Sequence, residues 1–99
     1  MTAISLSDCT VYKKKEGSVT EAYIITPSTA DSNDTVDVTA LVADGNLLGI
    51  PSRWDVEDGD EVTATYATGT GLITIDASGG TTNHTYCIGI VYVSYAFTA

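Results

Sequence analysis

The sequence predicts an all-β domain, built as a single antiparallel β-sandwich or a small barrel of seven to eight short strands. The first supporting observation is composition. The 99 residues include sixteen threonines, nine glycines and six tyrosines, and β-branched and aromatic side chains fit a pleated surface. The second is spacing, because Gly, Pro, Asn and Asp interrupt the apolar runs at intervals of about ten residues. Jelly-roll and immunoglobulin-like sandwiches have this spacing.

Length and charge restrict the possible functions. The 99 residues predict one β domain over positions 1–99, and 43% apolar residues suffice for a modest core. Thirteen acidic residues against four basic ones give a formal charge of −9, which repels phosphates and anionic lipids at long range. We therefore expect no nucleic-acid partner and no membrane partner. Neither a secretion signal nor an apolar stretch of about 18 residues is visible in the sequence.

The first two strands are predicted near the N-terminus. CTVYKK at 9–14 follows a lead-in, AISLS, that can pair at a sheet edge. The lysine run at 13–15 is typical of a solvated loop or of a sheet edge guarded by charge, and contact with a phosphate or an acidic partner is the alternative. A Glu-Gly-Ser turn leads to VTEAYIIT at 19–26, which Pro27 should end because proline has no amide hydrogen to donate to a ladder.

The middle of the chain contains four further apolar segments. TVDVTALV at 35–42 alternates between apolar and polar residues, which predicts a strand with one wet face. A short apolar run at 47–50 precedes the segment around the only tryptophan. EVTATYA at 61–67 has the clearest period of two, and LITID at 72–76 is a short strand. The residues of 61–67 expected to share the apolar face are Val62, Ala64 and Tyr66.

The last segment, TYCIGIVYVSYAF at 85–97, is apolar on both faces. Such a strand is either central to the fold or covered by another chain. Gly89 in its interior predicts a bulge or a close backbone approach. We predict that this segment is the main contributor to a self-association interface, with these candidate residues: Tyr86, Ile88, Ile90, Tyr92, Tyr95 and Phe97.

The acidic stretch DVEDGDE at 55–61 has two interpretations. As an EF-hand loop it fails, since placing Gly59 at loop position 6 puts Trp54 at position 1 and Thr65 at position 12. A looser calcium cage is one alternative, with these candidate ligands: Asp55, Asp58 and Asp60. A tight turn is the favoured interpretation, because Asp58 followed by glycine between two strand patterns is a strong hairpin signal.

No motif in the chain predicts catalysis. His84, the only histidine, stands in the polar stretch TTNHT and is expected to be an exposed loop residue. The sequence contains neither a nucleophile elbow nor a phosphate-binding loop. Cys9 and Cys87 are expected to be buried free thiols rather than a disulfide, because no secretion signal is visible. We predict no enzyme activity, no catalytic residue and no cofactor.

Aromatic residues suggest a different function. Trp54 beside Arg53 could stack on a sugar ring or on a partner side chain, with a tyrosine completing the platform. The competing expectation is that a lone tryptophan in a small sandwich belongs to the core. The alternative function is therefore a carbohydrate- or ligand-binding module, with or without a stabilising calcium ion. A third is an acidic mimic of nucleic acid that binds a basic partner.

Two stretches of the chain resemble a known class of proteins. DTVDVTALVADG at 34–45 and GDEVTATYATGTGLITIDASGGTTNHTYCIGIVYV at 59–93 are similar in style to small Thr- and Asp-rich β proteins of prokaryotic viruses, the capsid decoration (cement) proteins. The resemblance implies a small sandwich or barrel that associates with itself, often as a trimer, and covers a capsid surface. It also implies a location in the virion or in the cytoplasm of the producing cell. We accordingly predict a non-enzymatic structural protein that self-associates or binds a larger protein assembly.

Overall fold

Two β-sheets form the structure, a computed structural model that describes residues 3–42, 46–77 and 83–93. The all-β prediction is confirmed, and the sheets form a small β-sandwich. No helix in the described ranges has the length and hydropathy needed to cross a bilayer. The nine strands are β1 (Ala3–Ile4), β2 (Thr10–Glu16), β3 (Val19–Ile25), β4 (Thr35–Asp37), β5 (Leu47–Asp55), β6 (Asp60–Glu61), β7 (Thr63–Ala67), β8 (Leu72–Asp76) and β9 (Tyr86–Val93).

The strand order is β1-β4-β8-β7 in one sheet and β2-β3-β9-β5-β6 in the other. Every pairing is antiparallel except that of β1 with β4, which is parallel. The lead-in before the first long strand therefore does pair at an edge, as β1. The count exceeds the predicted seven to eight because β1 and β6, with two residues each, are too short to leave a pattern in the sequence.

The core lies between the two sheets and is built by residues that alternate along each strand. Val36 on β4 and Ile73 and Ile75 on β8 face inwards from the four-stranded sheet. The inward-facing residues of the five-stranded sheet with the least exposure are Ala22, Ile24, Tyr86, Ile88 and Ile90. The apolar face predicted for residues 61–67 also points to this core. Val62 is buried, and Ala64 and Tyr66 of β7 pack against the buried cluster.

Strand β9 is the central strand of its sheet, hydrogen-bonded to β3 on one side and β5 on the other. Four of the predicted interface residues point from it into the core and are at most 5% exposed: Tyr86, Ile88, Ile90 and Tyr92. The structure thus corrects the interface prediction for these four, because a strand with two apolar faces proves to be central rather than covered by another chain. Tyr95 and Phe97 lie outside the described residues.

Gly89 lies on the outer face of β9, where it allows the close approach that the sequence predicted. It pairs with Tyr23 of β3 on one side and with Ser52 of β5 on the other. A Cβ atom at position 89 would lie 2.9 Å from Cε1 of Tyr23 and 2.9 Å from Cβ of Ser52. The space that a side chain would fill is therefore taken by the Tyr23 ring, which leans along the sheet over the glycine.

Strand β5 ends in the hairpin predicted for the acidic stretch. Its register against β9 shifts twice between Leu47 and Ser52, and Pro51 lies within the second irregularity. After Asp55 the chain turns back so that Asp55 pairs with Asp60 of β6. Gly59 closes this turn with a φ of 74° and donates its N–H to the Asp55 carbonyl at 2.8 Å. The turn interpretation is confirmed.

Replacing Gly89 with alanine should destabilise the protein by about 1–3 kcal/mol, because the added methyl overlaps the Tyr23 ring and Ser52. Gly49→Ala is the matched control, since a Cβ at that position meets no atom within 4 Å. Urea denaturation followed by circular dichroism measures both variants. Equal losses of stability in the two variants would contradict the packing described for Gly89.

Candidate functional site

Three large aromatic side chains are exposed on the outer face of the five-stranded sheet. Tyr12 is 60% exposed, Tyr23 38% and Trp54 45%. We call these three residues the aromatic face. Single exposed apolar residues are common on protein surfaces, whereas several exposed aromatic side chains grouped on one face mark a candidate binding site.

The strand register explains why these residues share one face. Tyr12 of β2 is directly opposite Tyr23 of β3, and Tyr23 is opposite Gly89 of β9. Trp54 of β5 is opposite Cys87, two residues along β9 from Gly89, and therefore on the same face. The two tyrosines form a cross-strand pair, and Trp54 lies diagonally across β9 from them.

Arg53 and Trp54 do not form the stacking pair that the sequence suggested. They are neighbours within β5, so their side chains leave opposite faces of the strand. The guanidinium of Arg53 donates from Nη1 to the Ile50 carbonyl at 3.0 Å, and its Nη2 lies 3.8 Å from Oε2 of Glu61. The expectation of a core tryptophan is also wrong, because Trp54 is exposed. Tyr23, rather than Arg53, accompanies it on the face.

Both cysteines are free thiols, and both are half-buried rather than fully buried. Burial raises the pKa of Cys87, and burial together with the charge of Asp8 raises the pKa of Cys9. Each thiol is therefore a poor nucleophile at neutral pH. Cys87 lies on the outer face of the five-stranded sheet, with Ile25 and Trp54 as its ladder partners.

The acidic hairpin is held by the Asp55 carboxylate, which is only 6% exposed. Its Oδ1 accepts hydrogen bonds from the backbone N–H groups of Glu57 at 3.0 Å and Asp58 at 3.2 Å. Its Oδ2 lies 2.7 Å from Nδ1 of His84. His84 is 25% exposed, so the expectation of an exposed loop histidine is wrong. Its segment also bridges to the loop after β3, with the His84 N–H donating to the Ala30 carbonyl.

The charges of this cluster favour an ion pair. Burial acts to raise the pKa of Asp55, but the hydrogen bonds from His84, Asp58 and Glu57 outweigh it and leave that pKa lowered. The hydrogen bond to Asp55 raises the pKa of His84 against the opposing effect of burial, and the neighbouring acidic charges add to the rise. Below the raised pKa of His84 the pair is an imidazolium joined to a carboxylate, and the contact connects the hairpin to the segment just before β9.

Of the calcium candidates, the structure brings Asp55 and Asp58 together and leaves Asp60 out. Ligand atoms of Asp55, Asp58 and His84 lie within 4.8 Å of one another. An imidazole does not suit calcium, which takes six to eight oxygen ligands. The direct bond between Asp55 and His84 already engages one ligand atom of each. This geometry is that of a structural ion pair.

Comparison with protein-family models, with curated proteins and with solved structures finds no match to this chain. The functional conclusion therefore depends on the geometry of the chain itself.

The ion pair predicts a specific dependence of stability on pH. Because the pKa of His84 is raised from 6.5, its contribution is fully present below pH 6.5 and is lost as the pH rises through the folded-state value. Because the pKa of Asp55 is lowered from 3.8, its contribution is present above pH 3.8 and is lost as the pH falls through the folded-state value.

Urea denaturation of the wild type and of His84→Gln from pH 5 to pH 9 should show this effect. The free energy of unfolding should differ most between the two proteins at about pH 5–6 and should differ less at each step above pH 6.5. Taking the difference between the two free energies of unfolding at each pH cancels the effect of the other charges, which both proteins share. A difference that stays constant over the whole range would contradict the charged pair.

Proposed function

We propose that this domain is a non-enzymatic structural protein whose aromatic face binds another protein surface, either a second copy of the chain or a larger assembly such as a viral capsid. The observation that carries the proposal is the group of three exposed aromatic side chains on one ordered sheet face. Tyrosine and tryptophan are the residues most enriched in the energetic centres of protein interfaces. The proposed setting is the virion, or the producing cell before assembly.

Rigidity of the platform supports the proposal. Tyr23 is held against Gly89, and Trp54 stands on a strand that pairs with the central strand β9. Side chains fixed before binding lose little conformational entropy when a partner arrives. The surrounding side chains supply a polar rim, since Lys14 and Glu16 on the same face of β2 form an ion pair at 3.1 Å.

The β2 edge favours binding through the outer face over the addition of a further strand beside β2. β2 is an edge strand and carries three consecutive lysines, which oppose the addition of a further strand. A partner that binds the outer face of the sheet leaves the β2 edge unpaired and is therefore compatible with these lysines. Face-to-face packing also gives a closed, symmetric assembly rather than an open fibre.

Charge should make self-association depend on salt. A net charge of −9 on each copy opposes the approach of two copies at low ionic strength. At about 1 M salt the screening length falls to about 3 Å, so the aromatic contact is then the dominant interaction.

Light scattering on a sizing column, at about 0.05 M and about 1 M salt, tests the proposal. We expect a defined oligomer that is favoured by salt and is indifferent to EDTA. Tyr12→Ser with Trp54→Ser should weaken association at least about tenfold, because truncated central aromatics are the costly losses at interfaces. Leu48→Ser is the matched control, since Leu48 is 52% exposed but is not part of the aromatic face. A monomer under all conditions that also fails to bind a capsid or other assembly would overturn the proposal.

A second candidate function is a carbohydrate-binding module, and one observation favours it. The Tyr23 ring lies along the sheet over Gly89, and a ring in that orientation can stack on a flat sugar. Trp54 on the same face would form the second part of the platform.

Calorimetric titration with soluble oligosaccharides decides between the two functions. Saturable binding that Tyr23→Ala and Trp54→Ala each weaken at least about tenfold would support the carbohydrate module, because stacking is the main contribution of each ring. Leu48→Ala should leave such binding unchanged. The absence of heat from any oligosaccharide, alongside a salt-favoured oligomer, would leave the structural protein as the function.

A further inference from the structure

The structure contains an open cleft that the aromatic face does not use. It has a volume of about 350 Å³ and is lined by Lys13, Lys15, Thr20, Leu41 and Tyr92. Four of these residues come from the inner face of the five-stranded sheet, and Leu41 comes from the turn after β4. The volume is at the lower end of the range for small-molecule sites.

The strand register builds the floor of this cleft. Lys15 of β2 is opposite Thr20 of β3, and Thr20 is opposite Tyr92 of β9. These three side chains therefore form a row across three neighbouring strands, spaced by about 4.8 Å. Lys13 lies two residues from Lys15 on the same face of β2, so both lysine side chains line the same cleft.

The charges in the cleft are unusual for this protein. The chain has only four basic residues, and two of them line this one cleft. Lys14, on the opposite face of β2, has an ion-pair partner in Glu16 at 3.1 Å. Within the described residues, neither Lys13 nor Lys15 is paired with an acid, although acids outnumber bases thirteen to four.

The remaining lining groups complement an anion attached to an apolar body. Thr20 and Tyr92 are each 5% exposed, and both line the cleft, so each brings a hydroxyl group to its wall. Burial raises the pKa of Tyr92, which keeps its hydroxyl protonated and able to donate. The Leu41 side chain and the Tyr92 ring provide an apolar wall.

We propose that this cleft is a binding site for a small organic anion, in which Lys13 and Lys15 hold a carboxylate or phosphate group and Leu41 and Tyr92 pack against its apolar part. Charge-assisted hydrogen bonds from two ammonium groups supply most of the affinity. The hydroxyl groups of Thr20 and Tyr92 orient the ligand. This site is independent of the aromatic face, because Lys13 and Lys15 leave β2 on the side opposite to Tyr12.

Titration of the ¹⁵N-labelled protein at low salt, followed by amide chemical shifts, tests the site with phenyl phosphate and benzoate as probes. We expect saturable shifts centred on Lys13, Lys15, Thr20 and Leu41, and no saturable shift with the neutral probe benzyl alcohol. Lys13→Gln with Lys15→Gln should weaken binding of the anions at least about tenfold, because both charge-assisted contacts are lost. Tyr92→Phe should weaken it several-fold through the loss of one donor.

Lys14→Gln is the matched control, since it removes the same charge from the same strand on the opposite face. It should leave the dissociation constant within about twofold. The single variant Lys15→Gln, compared with Lys14→Gln, removes one charge from each face. Equal weakening by these two single variants would show non-specific attraction and overturn the proposal, as would unsaturable shifts with both anions. Each of these variants changes an exposed lysine or a single hydroxyl group, and unchanged urea midpoints will show that it is folded.

Discussion

The burial of β9 is the constraint on which the rest of the structure depends. Its seven ladder partners on β3 and its pairing with β5 fix the order of the five-stranded sheet. Its inner side chains, from Tyr86 to Tyr92, fill the core against the four-stranded sheet. Its outer face carries Gly89, and the absence of a side chain there lets Tyr23 lie on the sheet. One strand thus determines both the packing of the interior and the shape of the exposed aromatic surface.

The Asp55 carboxylate connects the acidic hairpin to that central strand. It caps the turn through two backbone N–H groups and holds His84, which is two residues before β9 begins. Val56 adds a backbone link by donating its N–H to the Thr85 carbonyl at 2.9 Å. A buried carboxylate with three partners is stable as an anion, whereas one without them would be costly to bury. The Asp55 cluster therefore has a structural role, because it holds the end of β5 in place and so positions Trp54.

Local patterns in the sequence predicted the strands well and predicted their environment less well. The alternation in EVTATYA identified the inward-facing Val62, and the Asp58-Gly59 pair identified the hairpin, because both are local rules. Alternation shows that a strand has two faces, but it does not show which one meets the other sheet. For β9 both faces are apolar, so only its position between β3 and β5 reveals that Tyr86 is core. His84 was missed because its partner, Asp55, is 29 positions away.

The two binding surfaces proposed for this chain follow from the alternation of a single strand. In β2, Tyr12 and Lys14 face outwards, whereas Lys13 and Lys15 face the cleft. The lysine run looks uniform in the sequence, yet its members have different surroundings. Lys14 is paired with Glu16, whereas no acid within the described ranges is paired with Lys13 or Lys15. A strand at the edge of a sheet keeps both of its faces accessible near its end, which a central strand such as β9 does not. Position at the edge, rather than composition, is therefore what allows β2 to contribute to two independent surfaces.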